Sequence, residues 1–503
     1  MDGLKQVQRK IIWGSMKKWS KAKKKEKVKV MTLCSYISTK TQYHHGDKSM
    51  CDAIVHMVHD FVGTNNLPTF EANGQFGTRD LGGKDCAAPR YTRTRPLWWW
   101  NHIFKKEDNP LLTMVVDEGE VCEPVTLLPV LPLHLINGVK GIGTGHSTFI
   151  PNHDPLDICK WLTARLNGWK VEPIVPWYRG FTGEIKIEER KAKAKSSSAP
   201  STPSAPNTPS TPDALLENSD ENDEDNEDDV AINENTRYTM KTIGKFREEG
   251  KRTKKVVVTE LPIGKPTHDY EVWLRRQREL KVIKGFTNYS KHDTVHFEIT
   301  GIKNPSVTKL KLEKKFGMSN MVLLDLNNRP VKYNTTTDIL ESFYHLRLPY
   351  YQKRKDNILE GKQDKTNLLN NKIKFILSVI KGFNLVKTIS NLTIEQANNE
   401  GAILSIGLNK KQIQPQMEKL GFGYDLLQKV SLHQCTEEEV EKARHQLNKL
   451  EEEINNLKEI SPEKMWQKDI DEFVAAYCKH YKCDPLNWKK NVKMEVNPDE
   501  LDH

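Results

Sequence analysis

No apolar run in this chain approaches the roughly 20 residues that a membrane-spanning helix requires. Signal-peptide features are equally missing, because Met1–Lys10 is polar and no small-residue cleavage site follows a hydrophobic stretch. The eight cysteines are widely scattered, which excludes a dense disulfide framework and predicts reduced thiols. Only Cys478, His480 and Cys483 lie close together, and without a second ligand pair at zinc-finger spacing they read as an ordinary helix end. No GxxxxGKS or GxxxxGKT segment occurs, so a Walker-type ATP site is excluded from this sequence. Gly141-Ile-Gly-Thr-Gly145 resembles a dinucleotide loop only superficially. Its third glycine comes one residue early for GxGxxG and no acidic ribose partner is evident, so a close-packed turn is expected. These absences predict a soluble, intracellular protein with no membrane partner.

What is present is charge. Charged residues make up 29% of the 503 positions against 37% apolar, a balance that suits an elongated, surface-rich protein of two or three domains. The net charge of +10 understates how basic most of the chain is, because an acidic run from Glu217 to Asp229 offsets part of it. Lysines gather at Lys17, Lys18, Lys21, Lys23, Lys24, Lys25, Lys27 and Lys29, as a phosphate-tracking surface or a solvated loop would have them.

Texture divides the chain into four. Residues 1–168 are dense in His, Gly, Arg and aromatics. Residues 169–335 hold strand-like runs at Phe181–Ile187, Lys254–Leu261 and Thr294–Thr300, interrupted at about 191–235 by a Ser/Pro/Thr-rich and then acidic insert. That composition cannot bury enough apolar surface to order itself, so disorder is expected there. From Asp338 the pattern turns helical, with Ile339, Phe343, Leu346 and Tyr350 at 4-3-4 spacing. Val440, Ala443, Leu447, Leu450, Ile454 and Leu457 then alternate by three and four, a heptad seam that Thr436 and Glu439 open with a capping box. The two helices predict either an antiparallel coiled coil ending in a knob or two helices of a compact bundle. Pro349 is expected to kink or interrupt the first. Residues 486–503 form a tail.

The chemistry concentrates in Tyr43-His-His-Gly-Asp47, Asn73-Gly-Gln-Phe-Gly-Thr-Arg79 and Gly82-Gly-Lys-Asp-Cys-Ala-Ala-Pro-Arg-Tyr91. A phenol, with an unperturbed pKa of about 10, attacks phosphorus only with cations at hand and donors for the developing charge. Arg90, Arg79, Lys84 and His45 are chemically suited to both tasks. An Arg-Tyr pair in a glycine-rich loop also serves as ordinary structure, and composition leaves both readings open.

These segments resemble the catalytic region of the type IIA DNA topoisomerases, whose pattern runs YHHGE, GQFGTR, GGKDAASPRY and NGAEGIGTG in the same order. Asp2-Gly-Leu-Lys-Gln-Val-Gln-Arg-Lys10 is similar to the family's DGLKPGQRK, and Asn137-Gly-Val-Lys-Gly-Ile-Gly-Thr-Gly145 to its last motif. Ser319-Asn-Met-Val-Leu-Leu324, Phe343–Lys355 and Ser461–Asp469 extend the likeness over nearly the whole chain. The resemblance implies an α+β protein: a winged-helix DNA-gate domain over 1–168, a β-rich tower domain over 169–335, and a long antiparallel coiled coil with a helical C-gate over 336–485. It implies two-strand DNA cleavage and religation during ATP-driven strand passage by a nuclear homodimer. Tyr91 would form a 5′-phosphotyrosyl bond. Arg90 would stabilise the scissile phosphate, and His45 and Arg9 would help hold it. Lys84, Arg79, Lys10 and His44 would contact double-stranded DNA. Ile150 would wedge between base pairs, where unstacking costs a few kcal/mol that extra backbone contact returns.

Three departures from the family pattern stand out. The sequence opens at the DGLK-like motif and lacks the EGDSA and DxD patterns of a Toprim domain. Mg²⁺ and ATP are therefore expected on Toprim and ATPase portions supplied in cis or in trans. Gln6-Val7, Ala88 and Thr92-Arg93 replace Pro-Gly, Ser and Ile-Phe around the motifs, and Pro349 sits inside the coiled-coil entry. A non-catalytic DNA-binding scaffold, or a truncated gene product, is the alternative reading.

Overall fold

In the computed structural model the described residues are 1–20, 25–143, 146–189, 238–250, 255–292, 294–405, 410–423, 426, 430 and 435–483. The insert at 191–235, the tail from 486, Thr144, Gly145 and the lysines at 21, 23 and 24 lie outside them. Two compact units form: Met1–Phe104 with Thr113–Tyr344 and Phe473–His503, and Lys105–Leu112 with His345–Glu472.

The first unit begins with three packed helices, Gln6–Trp19, Val30–Thr41 and Asp47–Val58. Each turns one apolar face inward, and Ile11, Ile12, Leu33, Ile37 and Ile54 are fully buried. Gly14 lets the first two helices cross closely, since a Cβ there would come 2.9 Å from Ile37 Cγ1. A short strand, Val28–Lys29, pairs antiparallel with Arg93–Thr94 and ties the following loop to this bundle. The strands Met114–Asp117 and Glu120–Pro124 form an antiparallel hairpin beside this bundle.

Further along lies the β-rich part. A four-stranded antiparallel sheet has the order Gly285–Asn288, Phe297–Thr300, Lys255–Glu260, Lys245–Glu249. Val256, Val258, Phe297 and Ile299 pack there with Tyr270 and Leu274 of the helix Thr267–Glu279. The Val-rich run expected at 254–261 is this sheet's interior strand, buried because β-branched side chains fill a pleated surface from both sides. A second sheet has the order Glu313–Gly317, Tyr238–Ile243, Glu184–Glu189. Glu189 and Tyr238 are register partners, so the strands on either side of the insert are direct neighbours.

In the second unit the helix Thr336–Thr388 runs against Glu437–Glu459. Lys372 Nζ meets Glu439 at 3.1 Å, Lys362 pairs with Glu453, and Lys355 Nζ donates to the carbonyls of Lys458 and Ile460 at 2.9 and 2.8 Å. Rising numbers on one helix meet falling numbers on the other, which is an antiparallel coiled coil. Val440, Ala443 and Ile454 are buried and Leu447, Leu450 and Leu457 half-buried, while most other positions between them are exposed. Beyond the coil a helical knob closes on Ile376, Ile403 and Met417.

One expectation is corrected here. The helix is continuous across Pro349, whose ring is exposed; neighbouring turns are held by burial of Arg347, Tyr351 and Arg354 instead. Leu346 and Tyr350 are only half-buried, because an ionic core displaces the apolar stripe. Asp108 accepts from Arg347 Nη2 at 2.6 Å and Arg354 Nε at 2.7 Å, and Arg354 Nη1 reaches Asp469 at 2.6 Å. Tyr351 donates to Asp469 at 2.9 Å and stacks on Trp466.

Candidate active site

Tyr91 stands at the tip of a turn and is 69% exposed. Its amide donates to Ala88 O at 2.9 Å, which closes the turn. Both shoulders of the turn are tied to the start of the helix Val30–Thr41: Val30 N–H donates to Thr92 O at 3.0 Å and Met31 N–H to Pro89 O at 3.2 Å. These amides are the donors a helix N-terminus leaves unpaired, so the loop satisfies the helix while the helix fixes the loop. Arg93 exchanges backbone bonds with Asn73 at 2.9 and 3.1 Å. Arg90 is exposed and its guanidinium lies 5.0 Å from the Tyr91 ring centroid. A free phenol therefore projects from a backbone bonded on both sides, with a cation beside it.

The glycine-rich segments before it cross each other. A Cβ on Gly77 would fall 2.6 Å from Gly83 Cα, and both glycines have positive φ, which explains why larger residues do not stand there. Asp85 locks the crossing, accepting from Thr78 N and Oγ1 at 2.8 and 2.7 Å and from Gln75 Nε2 at 2.8 Å. Burial alone would raise the Asp85 carboxyl, but the Thr78 and Gln75 donors hold it below the ordinary carboxylate range. Lys84 remains exposed on the outside.

A second group of polar residues gathers at the other end of the same helix. A cleft of about 410 Å³ is lined by Lys5, Gln6, Tyr43, His44, His45 and Asp117, among others. His44 and His45 are exposed; His44 Nε2 lies 3.0 Å from Asp117 Oδ2, and the His45 ring meets Tyr43 edge-on at 5.4 Å. Arg9 is forked onto Asp2, with Nε and Nη2 at 2.7 and 2.9 Å from its two oxygens. Asp2 is buried, which alone would raise its carboxyl; the Arg9 fork and the amides of Leu127 and Leu4 outweigh that and lower it. Sequence reasoning missed Asp2 and Asp117 as partners. The first lies in the DGLK-like motif, whereas nothing local marks the second.

Three residues expected to contact DNA are placed otherwise. Arg79 is buried, and its guanidinium pairs with Glu260, which also accepts from Thr182 N and Oγ1 at 3.0 Å each. This cation is spent on an internal carboxylate. Lys10 is buried too: its ammonium lies 2.9 Å from Glu123 and donates to Thr41 O, where a cation suits the negative end of a helix. Ile150 is 1% exposed, at the base of the hairpin Val139–Gly143/His146–Ile150. The neighbouring Phe149 stacks on Phe316 at 5.3 Å, which anchors that strand. Of the departures, Thr92 is fully buried and Arg93 exposed; Gln6 and Val7 line the cleft.

Comparison with known proteins agrees with this layout. The sequence matches the family of the DNA gyrase/topoisomerase IV A subunits over residues 1–204 and 224–471. It is 31% identical to a DNA topoisomerase 2 of Penicillium chrysogenum over 95% of this chain and 28% of that protein. It is 29% identical to a mitochondrial DNA topoisomerase 2 of Dictyostelium discoideum over 99% of this chain and 35% of that one. The chain thus spans about a third of the length of the curated relatives it matches. The crystal structure of the DNA-binding, cleavage and re-ligation domain of Plasmodium falciparum topoisomerase II superposes with a TM-score of 0.72 at 28% identity, covering 98% of this chain and 63% of that one.

Proposed function

The chain belongs to the family of the DNA gyrase/topoisomerase IV A subunits, and from that membership we propose that it is the DNA-gate and C-gate part of a type IIA DNA topoisomerase. The proposed reaction is transient cleavage of both DNA strands and their religation during ATP-dependent strand passage. Tyr91 Oη attacks the scissile phosphorus, and the bond from phosphorus to the 3′ oxygen breaks as the tyrosyl O–P bond forms. The phenol gives up its proton and the departing 3′ oxygen takes one. Religation runs the same exchange backward, so no water is consumed. The observation that carries this reading is the Tyr91 tip: an exposed phenol on a backbone bonded at both shoulders, with Arg90 beside it. Holding a nucleophile this way removes much of the entropic barrier to attack.

Arg90 then stabilises the charge that develops on the phosphate, and His45 and Arg9 help hold that phosphate. Lys84, His44 and the exposed Arg93 contact the DNA backbone. The Tyr91 turn is tied to the first turn of the 12-residue helix Val30–Thr41 and His45 follows its last, so that at 1.5 Å per residue about 18 Å of helix lies between them. One chain does not bring both to a single phosphate. We therefore assign a homodimer in which Tyr91 of one copy works with the Arg9 and His45 groups of the other. Residues 1–168 would be the DNA gate, 169–335 the tower, 336–485 the coiled coil and C-gate, and 486–503 a tail.

Among the described residues no three His, Cys, Asp or Glu side chains come together as metal ligands. The steps above use no metal held by this chain. Mg²⁺ and ATP belong on Toprim and ATPase portions, in cis or in trans. We propose a nuclear address, as suits a DNA topoisomerase of eukaryotic type, although the Dictyostelium relative is a mitochondrial one; no described helix is long and apolar enough to cross a membrane.

The test mixes the chain with a Toprim-bearing partner, Mg²⁺ and end-labelled duplex DNA, then denatures with detergent. A covalent 5′ adduct is expected, and Tyr91→Phe should abolish it. No adduct from a chain that still binds DNA, beside a partner proven active, would mean a non-catalytic scaffold.

A further inference from the structure

Tyr91 is held from above by the helix Val30–Thr41, and the glycine crossing that leads to it needs a floor. His59 supplies one. It follows the helix Asp47–Val58 as its C-cap, its amide donating to Val55 O at 3.1 Å, and it is 6% exposed. His56 and Phe61 hold the ring from one side, each with its centroid 5.1 Å away. On the other side the ring lies against Gly83, where a Cβ would come 2.7 Å from His59 Cε1 and 3.1 Å from Nε2. Gly83 in turn lies against Gly77, so imidazole, Gly83 and Gly77 stack in three layers with no room for a side chain between them. From the top layer the bonds lead directly to the tip: Gly83 N–H to Thr78 O at 2.9 Å, Ala87 N–H to Gln75 O at 3.0 Å, then Tyr91 N–H to Ala88 O.

We propose that His59 is a positioning residue for cleavage, its imidazole fixing the height of the Gly77–Gly83 crossing and hence the pose of Tyr91. The proposal rests on Tyr91 being the nucleophile. A planar group that carries a donor, as an imidazole or a primary amide does, suits this place, since it packs against glycine backbone and faces the backbone of Phe76. The other function of the ring is to stay uncharged. Nε2 is buried without a partner, and burial, with His56 nearby, holds the imidazole neutral down to about 4.

The variants are His59→Ala, which removes ring and donor, His59→Phe, which keeps a flat ring without a donor, and His59→Gln, which keeps a donor. Two readouts are followed on the full chain with its Toprim-bearing partner. One is the rate of adduct formation at saturating DNA against DNA affinity; the other is limited trypsin cleavage after the exposed Lys84 and Arg90, followed by mass spectrometry. A displacement near 1 Å costs on the order of a hundredfold in rate. His59→Ala is therefore expected to slow adduct formation at least about tenfold, to leave DNA affinity within about twofold, and to speed nicking at Lys84 and Arg90 above that at other exposed lysines. His59→Gln should recover most of both. A folded His59→Ala with wild-type rate and nicking would overturn the proposal, as would nicking raised equally at every site. If His59→Ala does not fold, His59→Phe must fall below His59→Gln in both readouts, and equality overturns it. Should wild type form no adduct, the assignment of Tyr91 fails, while the trypsin pattern still decides whether His59 supports the loop.

Discussion

Arg79→Ala separates a buried cation from a DNA-contacting one. In the fold its side chain is 7% exposed and that of its partner Glu260 3% exposed. Removing it leaves a buried carboxylate with only neutral donors, Thr182 N and Oγ1 at 3.0 Å and Leu261 N at 2.9 Å. Breaking a buried pair at one end costs about 3–5 kcal/mol, and the three remaining donors place this case near the lower figure, about 3 kcal/mol. Equilibrium unfolding in urea reads that as a lower midpoint at unchanged slope. Arg79→Met combined with Glu260→Gln leaves no orphan charge and should recover most of the loss. DNA affinity measured against salt supplies the other half. Each lost phosphate contact flattens the log–log slope by about 0.9, and Arg79→Ala should leave it unchanged. A slope reduced by about one, with stability altered by less than about 1 kcal/mol, would show that Arg79 meets phosphate and that its burial here is not the functional state.

Mixing equal amounts of Tyr91→Phe and His45→Ala chains should restore about a quarter of the wild-type adduct by subunit exchange, because half the dimers are mixed and each keeps one intact site of two; no recovery from well-mixed dimers would refute a site shared between copies. Acid should destabilise the protein between pH 6.5 and about 4. Burial holds His134 and His153 at about 4 in the fold, so the unfolded chain binds more protons in that window, and stability is complete above it and lost as pH falls. Each contributes about 3 kcal/mol across the window, and His153→Gln should remove one proton from the uptake measured on acid unfolding. Asp108→Asn removes the charge that Arg347 and Arg354 share, leaving Arg354 its second carboxylate, Asp469, and should cost about 3 kcal/mol in urea unfolding; a loss under about 1 kcal/mol would mean that the ionic core is not what holds the helix through Pro349.

Where patterns are local, the residues alone were enough. The heptad seam from Val440 to Leu457 marks a helix with one apolar stripe, because residues repeating every three and four have one way to leave water, while the choice between a coiled coil and a bundle came from its pairs with the first helix. The run at Lys255–Glu260 becomes an interior strand for the same reason, with a period of its own. The Tyr91 turn was legible as a turn, since Gly77 and Gly83 at positive φ permit a crossing that other residues would block.

Which cations remain available was not legible. Arg79 and Lys10 belong to motifs rich in positive charge, and chemistry gives no sign that they differ from Arg90 or Lys84. Their fate depends on carboxylates far along the chain: Glu260, 181 residues from Arg79, and Glu123, 113 residues from Lys10. Asp108 likewise stands 239 residues from Arg347, and together with Asp469 it turns what spacing offered as an apolar stripe into an ionic core. Periodicity and composition report how each residue interacts with water and with its near neighbours. Whether a charge faces phosphate or a buried carboxylate is decided only when distant strands and helices close on it, and that closure also left Tyr91 at one end of a helix and His45 at the other.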